Sequence, residues 1–165
     1  MSTAVAQFEE RFSGLLEHVG AMDVAALLEV LQTRTLAPGE AVITRGTPHD
    51  SLLLVEWGEL VVTVRGLEIS RLGPGEVAGE VGLLSPGVAT ASVRADEETM
   101  LHVLSGAGLA TLWAEHPAVA SALVQGLTRV ISERLRSIEG DVDQLADQGH
   151  HGVVGLLRRL FGRAA

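Results

Sequence analysis

The sequence predicts a mainly β domain, an antiparallel sandwich or jelly roll, with helices before and after the strands. Short runs rich in β-branched and aliphatic residues cover 33–36, 41–44, 52–55, 60–65, 69–72, 91–94 and 100–104. Turn residues such as Pro38-Gly39, Gly46 and Gly66 separate these runs. Many short strands at this spacing are typical of sandwiches and jelly rolls. Helical periodicity is confined to the two ends of the chain.

Two helices are predicted before the strands. Apolar residues at the spacing of one helical face place the first helix over 8–19, with Gly20 ending it. These residues are Phe8, Phe12, Leu15, Leu16 and Val19. Asp23 is positioned to cap a second helix over 24–32. Its buried stripe is predicted to be Leu27, Leu28 and Leu31.

The stretch from residue 73 to residue 95 is rich in glycine and organises the rest of the chain. A short apolar helix is predicted over Glu80–Leu84, directly after Gly79, and residues 91–95 are predicted to return as a strand. The first amides of such a helix have no partner inside it and point outwards, preferably at an anion. Glycine, short helix, small-residue loop and strand together predict a phosphate cradle.

Two further helices are predicted after the strands. Ser105 can cap one that runs to about Glu115, and Pro117 suits the first turn of the next. The last helix carries a heptad seam, interrupted at Gly140. The seam residues are Ile131, Leu135, Ile138, Val142 and Leu145. The seam indicates a homodimer or, alternatively, packing of the helix on its own strands.

Composition excludes several classes of protein. Twelve basic against 21 acidic residues give a net charge of −9, which argues against a chain built to wrap nucleic acid. The absence of cysteine removes disulfides, thiolate metal sites and thiol nucleophiles. Residues 1–11 lack the pattern of a signal peptide, and no run reaches the length of a membrane span. We therefore expect a soluble cytoplasmic protein, and the composition suggests a bacterial source.

Gly79-Glu80 and, further on, Thr90-Ala91-Ser92-Val93-Arg94-Ala95 resemble the phosphate-binding cassette of the cyclic nucleotide-binding domain family. The family pattern is Gly-Glu, a short apolar helix, a loop and then R-[ST]-A-x-V-R-A. The segment from Arg45 to Leu52 likewise resembles the family's E-G-D-x-x-D-x-[LMF] turn. The resemblance covers residues 23–136 and implies an eight-stranded antiparallel β-roll with N-terminal helices and a long C-terminal helix.

Three parts of the chain follow from this resemblance: an N-terminal helix (1–22), a cyclic nucleotide-binding-like domain (23–147) that includes the long helix, and an apolar-basic tail (148–165). Too few residues follow Leu145 for the helix-turn-helix of the family's DNA-binding members, so we expect no DNA binding. The tail could dock on a protein partner, on a membrane surface or on its own domain, or have no partner.

The resemblance also implies which residues contact a ligand. Backbone amides of Gly79, Glu80 and Val81 would face a phosphate or ribose, and the Glu80 carboxylate would accept from the ribose 2′-hydroxyl. Thr90 and Ala91 match the family pattern at the phosphate. Alternatively, Glu80 is a first-turn carboxylate favoured by the helix dipole, and Thr90 is an ordinary strand threonine.

Ala89 stands where the family has its phosphate-binding arginine. Loss of such a buried charged partner costs about 2–5 kcal/mol, which weakens binding by about 30-fold to several thousand-fold. Arg134 on the long helix, an arginine of a second subunit, or Arg158 and Arg159 of the tail are candidates to replace it. Arg94 is not, because strand alternation places it on the opposite face from Ala89.

Two functions are consistent with these features. The first is a non-enzymatic sensor that binds cyclic AMP, cyclic GMP or another nucleotide with weakened or altered preference. The second is a degenerate, nucleotide-free module that dimerises or docks through the long helix and the tail. No nucleophile elbow or P-loop sequence occurs, and His150-His151 lack a third ligand, so we expect neither an enzyme nor a metal site.

Overall fold

The computed structural model describes residues 3–20 and 23–147 of the chain. The chain divides into two compact units, Met1–Leu127 and Thr128–Ala165. The first unit contains all the strands described below and the residues predicted to contact a ligand, except Arg134. The second unit contains the later part of the last helix.

Three helices precede the first strand: α1 (Thr3–Arg11), α2 (Ser13–Leu16) and α3 (Val24–Val30). The prediction of one helix over 8–19 is wrong in its bounds, because helix begins earlier and is interrupted at Phe12, where ψ is 26°. The predicted apolar face is nevertheless buried as a set. The ring centroids of Phe8 and Phe12 lie 4.7 Å apart, so the helices on either side of the break share one apolar contact surface.

The second predicted helix also ends earlier than expected. Leu31 is extended, with φ −83° and ψ 140°, and the first strand begins directly after it. Pairing with the sheet overrides helix propensity here, as tertiary context commonly does. Asp23 occupies the N-cap position, but its side chain makes no capping hydrogen bond. Leu27 of the predicted stripe is buried, while Leu28 and Leu31 are half-buried.

Two four-stranded antiparallel sheets form the β-roll. The first sheet contains β1 (Gln32–Leu36), β4 (Ser51–Trp57), β7 (Val77–Ala78) and β10 (Thr99–Ser105), in the order β1-β10-β4-β7. The second contains β2 (Ala41–Ile43), β5 (Leu60–Val64), β6 (Leu67–Leu72) and β9 (Ser92–Ala95), in the order β2-β9-β5-β6. A separate pair joins β3 (Pro48–His49) to β8 (Gly87–Val88). The eight strands of the two sheets confirm the predicted fold class.

Apolar side chains from both sheets form one buried cluster. Leu53 and Leu101 come from the first sheet, and Leu60 and Val93 come from the second. Strand alternation separates this core from the outside, because Val93 is buried and its neighbour Arg94 is exposed. Arg94 therefore lies on the outer face, as predicted.

The remaining helices are α4 (Glu80–Leu84), α5 (Gly106–Glu115) and α6 (Pro117–Asp147). The bounds of α4 and α5 confirm the predictions from the sequence. Ser105 caps α5 as expected, since its Oγ accepts from the Gly108 N–H at 3.1 Å. Pro117 opens α6, also as predicted.

The long helix α6 continues through Gly140, so the predicted interruption there is not a break in the helix. Of the heptad seam, Ile131 is half-buried and Leu135 is 54% exposed. The side chains of the remaining seam residues, from residue 138 onwards, and the whole tail lie outside the described residues. The homodimer through this helix stays a prediction.

Candidate nucleotide-binding site

Gly79 joins β7 to α4 and sets the geometry of the site. Its φ is +83°, a left-handed conformation that glycine adopts most readily. A Cβ atom at this position would overlap the Ser51 carbonyl oxygen and lie 2.6 Å from His49 Nε2. The backbone conformation and the close approach of β4 therefore both require glycine, which allows α4 to lie tightly against the roll.

His49, on β3, packs against the start of α4. A Cβ atom at Gly82 would lie 2.8 Å from the His49 Cδ2, and a Cβ atom at Gly79 would lie 2.6 Å from its Nε2. This Nε2 is buried and has no hydrogen-bond partner in the part of the chain that the structure describes. Buried polar atoms are nearly always paired, so the contact between His49 and α4 is incompletely satisfied.

Glu80 is the first residue of α4 and is only 8% exposed, which is uncommon for a carboxylate. Its place in the first turn suits the positive end of the helix dipole. Val81, the next residue, is 55% exposed. The helix itself provides no acceptor for the amides of its first turn. The three predicted residues from Gly79 to Val81 thus combine a tight turn, first-turn amides that have no acceptor within the helix, and a buried glutamate.

Ala89 follows β8 on the way to β9. Its N–H donates to the Thr47 carbonyl at 2.8 Å, and its carbonyl accepts from the Gly46 N–H at 2.7 Å. Its side chain is half-buried and packs against the apolar cluster of the roll. Ala89 therefore has no hydrogen-bond donor left for an anionic ligand.

Thr90 and Ala91 complete the loop before β9, the first exposed and the second half-buried. The Thr90 carbonyl accepts a hydrogen bond from Nε of Arg45 at 3.0 Å. The Arg45 N–H in turn donates to Ser92 Oγ at 2.9 Å. The turn after β2 therefore holds a guanidinium group against the loop in which the family places its arginine.

Sequence reasoning does not single out Arg45 as a site residue, because it is one letter of a segment that resembles a family turn. A signal is nevertheless present, since an arginine stands where the E-G-D pattern has an acid. His49 occupies an unspecified position of the same pattern, and only the packing identifies it. Sequence spacing alone cannot place either side chain beside the cassette.

The remaining candidate cations belong to later parts of the chain. Arg134 is on α6, in the second unit, and is half-buried. Its predicted role toward a ligand stays a prediction. Arg158 and Arg159 lie outside the described residues, as does His150-His151. Within residues 3–20 and 23–137, whose side chains the structure describes, no three histidine or carboxylate side chains are arranged to hold a metal ion.

A second group of charges lies on the exposed face of the second sheet. Arg71, on β6, donates to Glu59, to Glu68 Oε1 at 2.7 Å and to Asp96 Oδ2 at 2.9 Å. These bonds, with Glu68 the largest contributor, raise the pKa of Arg71. The hydrogen bond from Arg71, with smaller effects of Arg94, lowers the pKa of Asp96. We call these five residues the outer ion-pair network.

No helix in the described part of the chain has both the length and the apolar character needed to cross a membrane.

A model of the cyclic nucleotide-binding domain family matches residues 33–116. A protein of Rhodopseudomonas palustris, provisionally named a potassium channel protein, is 33% identical over 137 residues, which cover 78% of this chain and 33% of that protein. The potassium/sodium hyperpolarization-activated cyclic nucleotide-gated channel 3 of Mus musculus is 33% identical over 124 residues, covering 75% and 15%. The chain spans a third or less of these relatives.

Solved structures share the architecture. A cyclic nucleotide-binding domain from Methylobacillus flagellatus aligns with a TM-score of 0.76 at 24% identity, covering 88% of this chain and 85% of that one. The catabolite activator protein of Thermus thermophilus aligns with a TM-score of 0.68 at 29% identity, covering 81% and 63%. These alignments confirm the β-roll with flanking helices and a long C-terminal helix.

Proposed function

The chain belongs to the cyclic nucleotide-binding domain family, and we propose that it is a non-enzymatic regulatory sensor for cyclic AMP, cyclic GMP or another nucleotide. One observation carries the proposal: Gly79 brings a short helix tightly against the roll, and Glu80, the first residue of that helix, is only 8% exposed. A nucleotide would place its phosphate at these amides and its ribose 2′-hydroxyl at Glu80. Binding at α4 would be transmitted to the long helix α6.

The proposed preference is weakened or altered relative to the family pattern. Ala89 offers no charge, and its amide already donates to Thr47. A phosphate bound here would therefore lack the buried bidentate cation that is the strongest contact available to it. We place this activity in the cytoplasm of a bacterium, with a homodimer formed through α6.

Titration calorimetry with cyclic AMP, cyclic GMP and cyclic dinucleotides tests the sensor. We expect measurable heat in the micromolar to millimolar range and a higher melting temperature at saturating ligand. Glu80→Gln should weaken binding by about tenfold or more, because it removes a charged acceptor of the ribose hydroxyl. Glu97→Gln, an exposed carboxylate before β10, is the matched control and should bind as the wild type does. No heat and no thermal shift at millimolar ligand would refute the proposal.

Restoring the arginine is the complementary gain-of-function test. Ala89→Arg should increase cyclic AMP affinity by about 30-fold to several thousand-fold, because it returns a bidentate cation to the cassette. Ala89→Met adds bulk without charge and separates the effect of the guanidinium from the effect of disturbing the apolar cluster. Equal affinities for both variants would show that the cassette does not receive a phosphate.

A nucleotide-free dimerisation or docking module is the second candidate. Its support is the apolar environment of Ala89 together with Leu135, which is 54% exposed on α6. Sedimentation of the full chain should then show a dimer that Leu135→Glu dissociates. Deletion of residues 149–165 should abolish capture of a protein partner and leave the melting temperature unchanged. A monomeric wild type whose capture of proteins is indifferent to the deletion would exclude this function.

A further inference from the structure

The turn after β2 indicates where the missing positive charge is supplied. We propose that Arg45 is the cation that meets the phosphate of a bound nucleotide, in place of the arginine absent at position 89. This inference rests on the proposed sensor function, because it names a residue that completes the same site. Its basis is the set of contacts between the turn and the loop before β9.

Several hydrogen bonds fasten this turn to the loop. The Gly46 N–H donates to the Ala89 carbonyl at 2.7 Å, and the Ala89 N–H donates to the Thr47 carbonyl at 2.8 Å. The Arg45 N–H donates to Ser92 Oγ, and its Nε donates to the Thr90 carbonyl. The backbone bonds hold the turn in register, and the Nε bond orients the guanidinium at Thr90. The guanidinium is therefore held at Thr90, the residue directly after position 89, where the family has its arginine.

The two Nη groups of Arg45 have no carboxylate partner among the residues described. Several other arginines are paired with acids: Arg11 with Glu56, Arg34 with Glu40, and Arg71 and Arg94 within the outer ion-pair network. Arg65 and Arg136 resemble Arg45 in this respect, but neither is bonded to the loop before β9. The Arg45 guanidinium is held by a carbonyl and has no acid beside it among the described residues. Its two Nη groups are therefore available to an external anion, which a guanidinium binds through paired hydrogen bonds.

The sequence pattern supports the same assignment. Arg45 stands where the family turn has an acid, and Ala89 stands where the cassette has an arginine. These two positions belong to neighbouring segments joined by the Gly46–Ala89 hydrogen bond. Compared with the family pattern, the positive charge therefore stands on the other side of that bond, at an exposed residue instead of a half-buried one. Because exposed charges are screened by salt, nucleotide affinity should be salt-dependent.

The test compares the cyclic AMP affinity of full-length variants by calorimetry at low and high salt. Arg45→Gln should weaken binding about tenfold at low salt and remove most of the salt dependence. Arg45→Lys keeps the charge but loses the planar guanidinium fork, and its affinity should lie between those of the wild type and Arg45→Gln. The matched control is Arg94→Gln, which removes the same charge from β9, where Arg94 is paired with Asp96. This control should bind as the wild type does.

A second comparison separates failure of this inference from failure of the sensor function. In the Ala89→Arg background the restored arginine meets the phosphate, so Arg45→Gln should change affinity by less than about threefold, a small fraction of its effect alone. If the wild type binds cyclic AMP and Arg45→Gln binds equally well, the assignment of Arg45 is wrong and the sensor function stands. If the wild type binds no nucleotide, both are wrong. Melting curves of each variant confirm that loss of binding is not loss of fold.

Discussion

The second sheet carries two groups of charges that are satisfied in opposite ways. At one end of β9, Arg94 and Asp96 belong to the outer ion-pair network, in which Arg71 bonds to three carboxylates. At the other end, the loop before β9 holds Arg45, whose Nε meets a carbonyl and whose Nη groups meet no acid among the described residues. One end of β9 thus lies beside arginines paired with carboxylates, and the other end lies beside an arginine that has no carboxylate partner among the described residues.

Under the proposed function, this difference separates a structural use of charge from a ligand-binding use. Exposed ion pairs contribute little to stability individually, and an arginine whose charge is paired with carboxylates has less to offer an anionic ligand. Around α4, in contrast, His49 Nε2 is buried and has no partner among the described residues, and the first-turn amides receive no acceptor from the helix. Polar groups that the fold leaves unsatisfied identify the place where a ligand would be stabilising.

The largest expected effect breaks the cassette side of this comparison. Gly79→Ala should destabilise the protein by about 2–5 kcal/mol, because it adds about 1–2 kcal/mol of backbone strain at positive φ and about 1–3 kcal/mol of overlap with Ser51 and His49. Urea unfolding followed by circular dichroism measures the change in free energy of unfolding.

Two glycines act as controls for this variant. Gly66 also has a positive φ of 81° but open space around its Cβ position, so Gly66→Ala isolates the backbone strain. Gly87, on β8, would place a Cβ 3.8 Å from the Ser85 carbonyl oxygen, an ordinary contact distance, and should tolerate alanine with little change. If Gly79→Ala were as mild as Gly87→Ala, the tight seat of α4 on the roll would be wrong.

A smaller effect is expected at the unsatisfied histidine. His49→Ala should destabilise the protein by about 1 kcal/mol, because it leaves a gap against Gly79 and Gly82 that removal of an unpaired nitrogen only partly offsets. Relative to the wild type, the rate of amide hydrogen exchange should increase more in α4 than in α5. A variant more stable than the wild type would mean that the unpaired Nε2 costs more than the packing of the ring contributes.

The smallest effect is expected in the outer ion-pair network. Arg71→Gln should lower the melting temperature slightly at pH 7, and the difference should shrink in high salt because the charges are exposed. The pKa of Asp96 is lowered by Arg71 in the folded protein. Its contribution to stability is therefore present above the unfolded pKa of about 3.9 and is lost as the pH falls through the lower folded pKa. The wild-type and variant melting curves should converge in that acid range, and a constant gap would contradict the assignment.

The bounds of the fold were largely predictable where the local signal was strong. Periodicity and turn residues located seven of the eight strands of the two sheets, and Gly79, Ser105 and Pro117 marked the beginnings of α4, α5 and α6. The break at Phe12 was not predictable, because an apolar face at helical spacing is compatible with one helix or two. The two-residue strands β3, β7 and β8 are too short for any periodicity and exist only because a partner strand lies beside them.

The candidate site was predictable in part. Gly79 precedes α4, and α4 has the predicted bounds. The ligand contacts of Gly79, Glu80, Val81, Thr90 and Ala91 follow from spacing and resemblance and stay predictions. The contact of Arg45 with Thr90 spans 45 residues of sequence, so no local pattern could bring the two together. The packing of His49 on Gly79 is likewise a product of how β3 passes beneath α4.

The amino-acid order alone determined that this chain is a mainly β domain with a short glycine-led helix, because turn chemistry and side-chain period act over a few residues. It also determined that position 89 carries no charge. Only the tertiary structure decided which groups remain without partners, since a hydrogen bond or an ion pair depends on segments distant in sequence. The sequence does not distinguish Arg71 from Arg45, whereas the fold pairs Arg71 with three carboxylates and holds Arg45 at the Thr90 carbonyl with no acid beside it among the described residues.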